Sequence, residues 1–461
     1  MNIRNTIILL TAAAFMYILS VAGSGCAQIG MPLGGPKDSL PPVLINATPP
    51  NPTTNFTANK IVLTFDEYVH IEDLQNNLLV APTPKITPLI NFKLKTVTIK
   101  LKDTLQANTT YNIQFGKSIQ DINENNPVPD FSYVFSTGPY IDSLTFNGNV
   151  TLAETGKPDS TLLAFLYKDL SDSAVYKHKP VYIARLDSAG NFKFKYLAEG
   201  TYNIFALKDE SGQKMYNNPT QLFAFADSAI KISKEITPIK LYAYAEEKPF
   251  TKPSATKAPE KKLSYSSSLT NGTQDLLKPL TLTFSNKLKA FDSTKIKLTD
   301  TLFNPVNTEK ITIDTTFKEV TVSNNWPEDT HYRLIIEKDF AQDTSGNTLA
   351  KSDTLKFITS RESDYGSIKI NFTNLEKFKN PVLQFVVNNE VAQSFPLNFR
   401  TWNQKLFKPG EYQLRILDDT NQNGIWDPGN YHLKKQPEKV YNIPQSLTIR
   451  GNWENERDII L

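Results

Sequence analysis

Residues 61–67 read Ile-Val-Leu-Thr-Phe-Asp-Glu, with Ile61, Leu63 and Phe65 separated by Val62 and Thr64 and the run broken at two acids. A repeat of two places successive side chains on opposite faces, so this segment predicts a short strand with one face in a core. The same alternation returns at Val97, Ile99 and Leu101, at Tyr202, Ile204 and Ala206, at Leu280, Leu282 and Phe284, at Ile368, Ile370 and Phe372, and at Tyr412, Leu414 and Ile416. Asn-Gly, Pro-Gly, Ser-Gly and Asp-Ser pairs recur between these runs, and no long helical periodicity interrupts them. Many short strands joined by frequent turns predict an all-β chain of tandem antiparallel β-sandwiches.

The opening run also has a partner. Leu-Thr-Phe-Asp-Glu at 63–67 answers Leu-Thr-Phe-Ser-Asn at 282–286, an offset of 219. Asn108-Thr109-Thr110-Tyr111 answers Asp329-Thr330-His331-Tyr332, and Gln120-Asp121 answers Gln342-Asp343. Phe135-Ser136-Thr137-Gly138 answers Phe357-Ile358-Thr359-Ser360 at an offset of 222. So small a drift predicts one fold used twice. The intervening segments mirror each other too: Gly200-Thr201-Tyr202 precedes one apolar strand and Gly410-Glu411-Tyr412 another, 210 residues later.

These motifs support a resemblance. Residues 41–138 and 263–360 resemble the bacterial Ig-like domain of the S-layer-protein type, through the Pro41-to-Pro50 opening, Thr64-Phe65, the Asn-Thr-Thr-Tyr entry and the closing Phe-Ser-Thr-Gly. The second copy lacks the Pro-rich opening and ends Ile-Thr-Ser-Arg. Residues 139–245 and 361–461 resemble transthyretin-like or carboxypeptidase-regulatory-like sandwiches, through the Gly-x-Tyr strands. The resemblance implies non-catalytic modules following one another along the chain, with 246–262, rich in Pro, Lys and Ala, as a linker between the two halves.

The N-terminal residues bear on location. Arg4 and the uncharged run Ile7–Val21 are too short for a comfortable membrane span and fit an export signal over 1–25. Gly23-Ser24-Gly25-Cys26 resembles a lipobox, although Gly23 stands where Leu, Val or Ile is usual. The resemblance implies lipidation of Cys26, the one cysteine in 461 residues, with 26–40 as a Gly- and Pro-rich tether. Ala27-Gln28 carries no Asp in the second mature position, which implies an outer-membrane lipoprotein, and the lack of an acidic cluster implies a periplasm-facing one rather than one on the cell surface.

Composition narrows the chemistry. With 50 Lys and Arg against 47 Asp and Glu the chain has a net charge of +3, which gives no basic footprint for nucleic acid. A single cysteine leaves no disulfide and no cysteine metal site. His70, His178, His331 and His432 fall in four different segments, no nucleophile elbow or phosphate-binding loop appears, and the adjacent Asp66 and Glu67 point to opposite faces of a strand. No catalytic residues are assigned and the chain reads as a non-enzyme.

One loop has metal-ligand spacing. Asp419, Asn421, Asn423, Gly424 and Asp427 place oxygens at positions 1, 3, 5 and 9 and glycine at 6, which suits weak Ca²⁺ binding as the chain's one possible cofactor. Position 12 is Asn430 rather than Glu, and the counterpart Asp209-Glu210-Ser211-Gly212 keeps little of the pattern. The alternative is a tight polar turn closed by Asx hydrogen bonds. Two functions stay open: a lipid-anchored envelope scaffold with a protein or glycan partner, and an accessory carbohydrate-binding lipoprotein. The latter would use an exposed row drawn from Trp402, Trp426, Trp453, Tyr431 and Tyr441.

Overall fold

A computed structural model describes residues 3–22, 37–248, 262–306 and 310–461. Apart from the helix Ile3–Ala22 and a few single turns, these residues form strands. Ile7, Leu10, Phe15, Met16 and Ile18 on that helix are all exposed, and no described helix is long and apolar enough to cross a membrane.

In the first sandwich, the quoted strand, Lys60–Phe65, pairs with Leu44–Thr48 on one side and Thr96–Lys100 on the other, and Leu89–Lys93 closes that sheet. The facing sheet is Leu79–Ala81, Thr110–Gly116 and Phe131–Ser136. Ile61, Leu63, Phe65, Val97 and Ile99 from one sheet meet Tyr111, Ile113, Phe115, Tyr133 and Phe135 from the other in a single core. Alternation in sequence has thus become alternation between core and outer face.

The third sandwich repeats this plan: Leu280–Phe284 lies between Tyr265–Ser267 and Glu319–Ser323, with Lys310–Ile313 outermost. The second and fourth sandwiches share a different plan. Leu144–Leu152 is flanked by Asn191–Leu197 and Ile239–Ala243, just as Gly366–Thr373 is flanked by Thr401–Phe407 and Glu454–Ile460. The last strand of each runs parallel to the first, so these sheets are mixed rather than purely antiparallel. A chain that opens and closes a sandwich in neighbouring strands of one sheet brings them in side by side with the same sense when an even number of reversals lies between them.

The Gly-x-Tyr motifs now have a cause. Tyr202 Oη donates to the carbonyl of Ala198 at 3.1 Å and Tyr412 Oη to that of Lys408 at 2.9 Å, in both cases four residues upstream. The hydroxyl fixes the approach to the strand while the ring fills the core.

The repeated Gln-Asp pair also does one job twice. Asp121, 2% exposed, accepts the N–H groups of Glu124, Asn125 and Asn126, and Asp343, 0% exposed, accepts those of Ser345 and Asn347 and the amides of Asn347 and Asn286. Burial works against the charge on both. The donors outweigh it, backbone N–H groups of Glu124, Asn126 and Asn125 at Asp121 and the Asn347 and Asn286 donors at Asp343, so both carboxyls sit below the ordinary aspartate value.

A depressed native value makes folding stability full above the unfolded value, about pH 3.9, and lost as pH falls through the folded one. Urea midpoints should therefore hold at neutral pH and fall in acid below about pH 4, with Asp343→Asn flattening that fall. An equal acid dependence in Asp343→Asn would show that this carboxylate contributes nothing to it.

The sandwiches are not strung in chain order. The first packs on the second: Thr83 N–H donates to Val181 at 3.0 Å, Arg185 Nη2 donates to the Asn76 carbonyl at 2.9 Å, and Leu79 enters an apolar cluster of the second. The third packs on the fourth through Tyr365, whose hydroxyl donates to Asp275 Oδ1 at 2.7 Å. The fourth then folds back onto the second, giving the spatial order first, second, fourth, third. The segment responsible is residues 428–437 of the fourth sandwich, whose Tyr431 enters the apolar cluster of the second.

Candidate functional site

The strand Gly410–Asp418 delivers the chain into the loop singled out for metal-like spacing. Asp419 is 1% exposed, and its carboxylate accepts the N–H groups of Gln422 (2.7 Å), Asn423 (3.3 Å) and Gly424 (2.7 Å). Asn421 Oδ1 accepts Asn423 N–H at 3.1 Å, and Asn423 Oδ1 accepts Ile425 N–H at 2.9 Å. Both amide nitrogens turn to Asp427 Oδ2, at 2.5 and 2.8 Å. The structure therefore brings all four residues together, with their oxygens engaged by N–H donors in a series of Asx turns. Gly424 has a φ of +79°, which the reversal requires and a side chain would resist.

A fifth residue completes the loop. Glu438, 3% exposed, accepts Thr420 N–H and Oγ1–H on Oε1, both at 2.7 Å, and Asp427 N–H on Oε2 at 3.1 Å. Its backbone carbonyl accepts the Trp426 indole N–H at 2.8 Å. Glu438 lies beyond any local motif, so spacing from Asp419 gives no sign of it. Among the described residues no group of three or more His, Cys, Asp or Glu side chains is arranged to hold a metal ion.

Residues 428–437, held between Asp427 and Glu438, reach the second sandwich. Tyr431 is 2% exposed and inserts its ring among Phe205, Phe223, Phe225 and Tyr176, with centroids 5.1–6.0 Å away. Three of these contacts are edge-on, the arrangement favoured by ring quadrupoles. Its hydroxyl donates to the Asp172 carbonyl at 3.1 Å and its N–H to Glu246 Oε1 at 3.0 Å. Burial, then Asp172, pushes its phenol up to about 12.

Polar contacts surround this plug. Lys434 Nζ meets Asp172 Oδ1 at 2.5 Å, Gln436 donates to Asp227 Oδ1 at 2.7 Å and to the Phe225 carbonyl at 3.1 Å, and Asn442 donates to the Thr155 carbonyl at 2.7 Å. Backbones approach closely here: a Cβ on Gly429 would lie 2.6 Å from the Tyr244 ring, and one on Gly156 2.8 Å from the Val440 carbonyl. An aromatic anchor with a polar rim is the anatomy of a specific protein interface.

The other residues singled out fall elsewhere. Cys26 lies outside the described residues, as does most of the linker, although Glu246 and Lys248 at its start contact Tyr431 and Glu154. The aromatics of the last sandwich do not form an exposed row. Tyr431 is buried in the junction, Trp402 packs on Phe385 and Phe395, Trp426 is tied to Glu438, and Tyr441 packs edge-on against Phe378. Trp453, 61% exposed, stands apart from them with Arg450 over its ring. The expected platform fails because alternation in this sandwich spends most of these rings on cores and on the junction.

The histidines stay scattered: His178 meets Asp169 at 3.5 Å, His432 stacks on Tyr176, and His70 and His331 lie in other sandwiches. Asp66 accepts Val43 N–H at 2.8 Å and sits at a strand end.

The fold and junction define a chain of paired β-sandwiches with a built internal interface. Within it, residues 38–137 match the family model described as a bacterial Ig-like domain. No curated protein matches the chain. Solved structures that align include native alpha-2-macroglobulin from Escherichia coli spanning domains MG0-NIE-MG1, 13% identical over 40% of this chain and 72% of that one, with a TM-score of 0.20. The major pilin subunit BcpA of Bacillus cereus aligns at 11% identity over 69% of this chain and 99% of its own, TM-score 0.17. The S-layer protein rSbsC(31-844) aligns at 14% identity over 90% and 54%, TM-score 0.16. At these scores the alignments carry no argument about arrangement or activity.

Proposed function

We propose that this chain is a non-catalytic scaffold of the bacterial cell envelope, anchored by lipid on Cys26 and acting as one folded-back body rather than a flexible string. The observation that carries this reading is the Tyr431 junction, which joins sandwiches from the two halves of the chain. The bacterial Ig-like match over 38–137 and the exposed Ile7, Leu10, Phe15, Met16 and Ile18 of the helix Ile3–Ala22 support the envelope setting. The lipid reading places the protein at the outer membrane, facing the periplasm.

Wild type is expected to incorporate labelled palmitate and to partition with membranes, and Cys26→Ala to do neither. A Cys26→Ala protein that remained membrane-bound would refute the anchor while leaving the junction untouched.

In this reading the loop 419–427 is a hydrogen-bonded turn that holds Tyr431 in place. Chelation by EDTA should then leave the thermal midpoint unchanged. A midpoint raised by millimolar CaCl₂ in wild type but not in Asp427→Ala would assign the loop to calcium instead.

A further inference from the structure

A cleft of about 1030 Å³ opens between the first and second sandwiches, at the upper end of the sizes typical of ligand pockets. Its walls are the outer faces of two sheets, and period two dictates what they show. On Asn191–Leu197, Phe192 and Phe194 face the core while Asn191, Lys193 and Lys195 face out. On Thr110–Gly116, Tyr111, Ile113 and Phe115 face the core of the first sandwich, leaving Asn112 and Gln114 toward the cleft. Lys117, Arg185 and Lys240 complete the cationic lining.

Little on the protein neutralises these groups. Lys117, Lys193, Lys195 and Lys240 form no salt bridge among the described residues. Of the two acids lining the cleft, Asp187 is engaged by the N–H groups of Ala189 and Asn191 and by the Asn191 amide. The other, Asp130, supports the charge of Arg185, whose guanidinium is pulled below its ordinary value by burial. Low-dielectric walls lined by one sign of charge concentrate ions of the other sign.

The polar lining specifies the anion further, because amides suit hydroxyls as well as charge. The side chains of Gln114 and Asn147 add amides that both donate and accept. Phe192, the aromatic residue of the lining, turns its ring into the core, is 2% exposed and gives no face on which a nucleobase could stack.

We infer that this cleft binds an acidic polysaccharide, its carboxylates or sulfates held by the lysines and Arg185 and its hydroxyls by the amides of Gln114 and Asn147. The inference goes beyond the scaffold reading and does not depend on the lipid anchor.

The test uses the full chain carrying Cys26→Ala, titrated with alginate oligosaccharides, neutral dextran, poly-L-glutamate and single-stranded DNA in a calorimeter at low and moderate salt. Alginate should bind in a salt-sensitive manner and dextran should not. The double change Lys193→Glu with Lys195→Glu should weaken alginate by about tenfold or more. Lys405→Glu, at an exposed site on the corresponding strand of the fourth sandwich, should leave it unchanged. Circular dichroism checks that each variant is folded. Three results would overturn the inference: no alginate binding, unaltered affinity in the folded double variant, or binding of poly-L-glutamate or DNA at least as tight as that of alginate.

Discussion

Tyr431→Ala should destabilise the chain by about 3–5 kcal/mol, the usual cost of emptying a buried aromatic site. It should also split one denaturation transition into two. The ring fills a pocket walled by Phe205, Phe223 and Phe225, and its hydroxyl satisfies the Asp172 carbonyl. Since it belongs to the fourth sandwich and its pocket to the second, removing it weakens the coupling between them more than either core. Urea unfolding followed by circular dichroism and by fluorescence should coincide in wild type and separate in the variant. Loss of stability with a single coincident transition would mean that Tyr431 supports one sandwich and does not link two.

Glu438→Ala should cost about 1–3 kcal/mol, because it removes the buried acceptor of the Thr420 N–H and hydroxyl and of the Asp427 N–H. Glu438→Gln should recover part of this, since one amide oxygen can still accept. The loop 419–427 positions residues 428–437, so Glu438→Ala should also broaden the coupling that Tyr431 provides. Proteolytic nicking within 419–437, mapped by mass spectrometry, would register that loosening; a variant as resistant as wild type would separate the loop from the junction.

The strands and the duplication were readable because period two and a repeated motif are local signals. Leu-Thr-Phe at 63–65 and at 282–284 predicts equivalent strands, and the two occupy equivalent places in sheets of one order. The Asx loop was also readable, since Asp419, Asn421 and Asn423 are close in sequence. Glu438 was not, because its role depends on a chain reversal that brings residues 420 and 438 together. The fold-back was hidden for a different reason: a buried interface tyrosine and a buried core tyrosine have the same sequence signature. The cleft was hidden in the charge balance, as Lys117, Arg185, Lys193 and Lys240 come from separate elements and a net charge of +3 gives no hint of their meeting.

The folded-back body is tested most directly by a distance across the junction. Spin labels at Glu199→Cys in the second sandwich and Lys405→Cys in the fourth, both exposed positions, can be placed in a Cys26→Ala background that holds no other cysteine. Pulsed dipolar spectroscopy should give one narrow distance distribution, and Tyr431→Ala should broaden it. A broad distribution in the protein with Tyr431 intact would contradict the account and return the sandwiches to a flexible string.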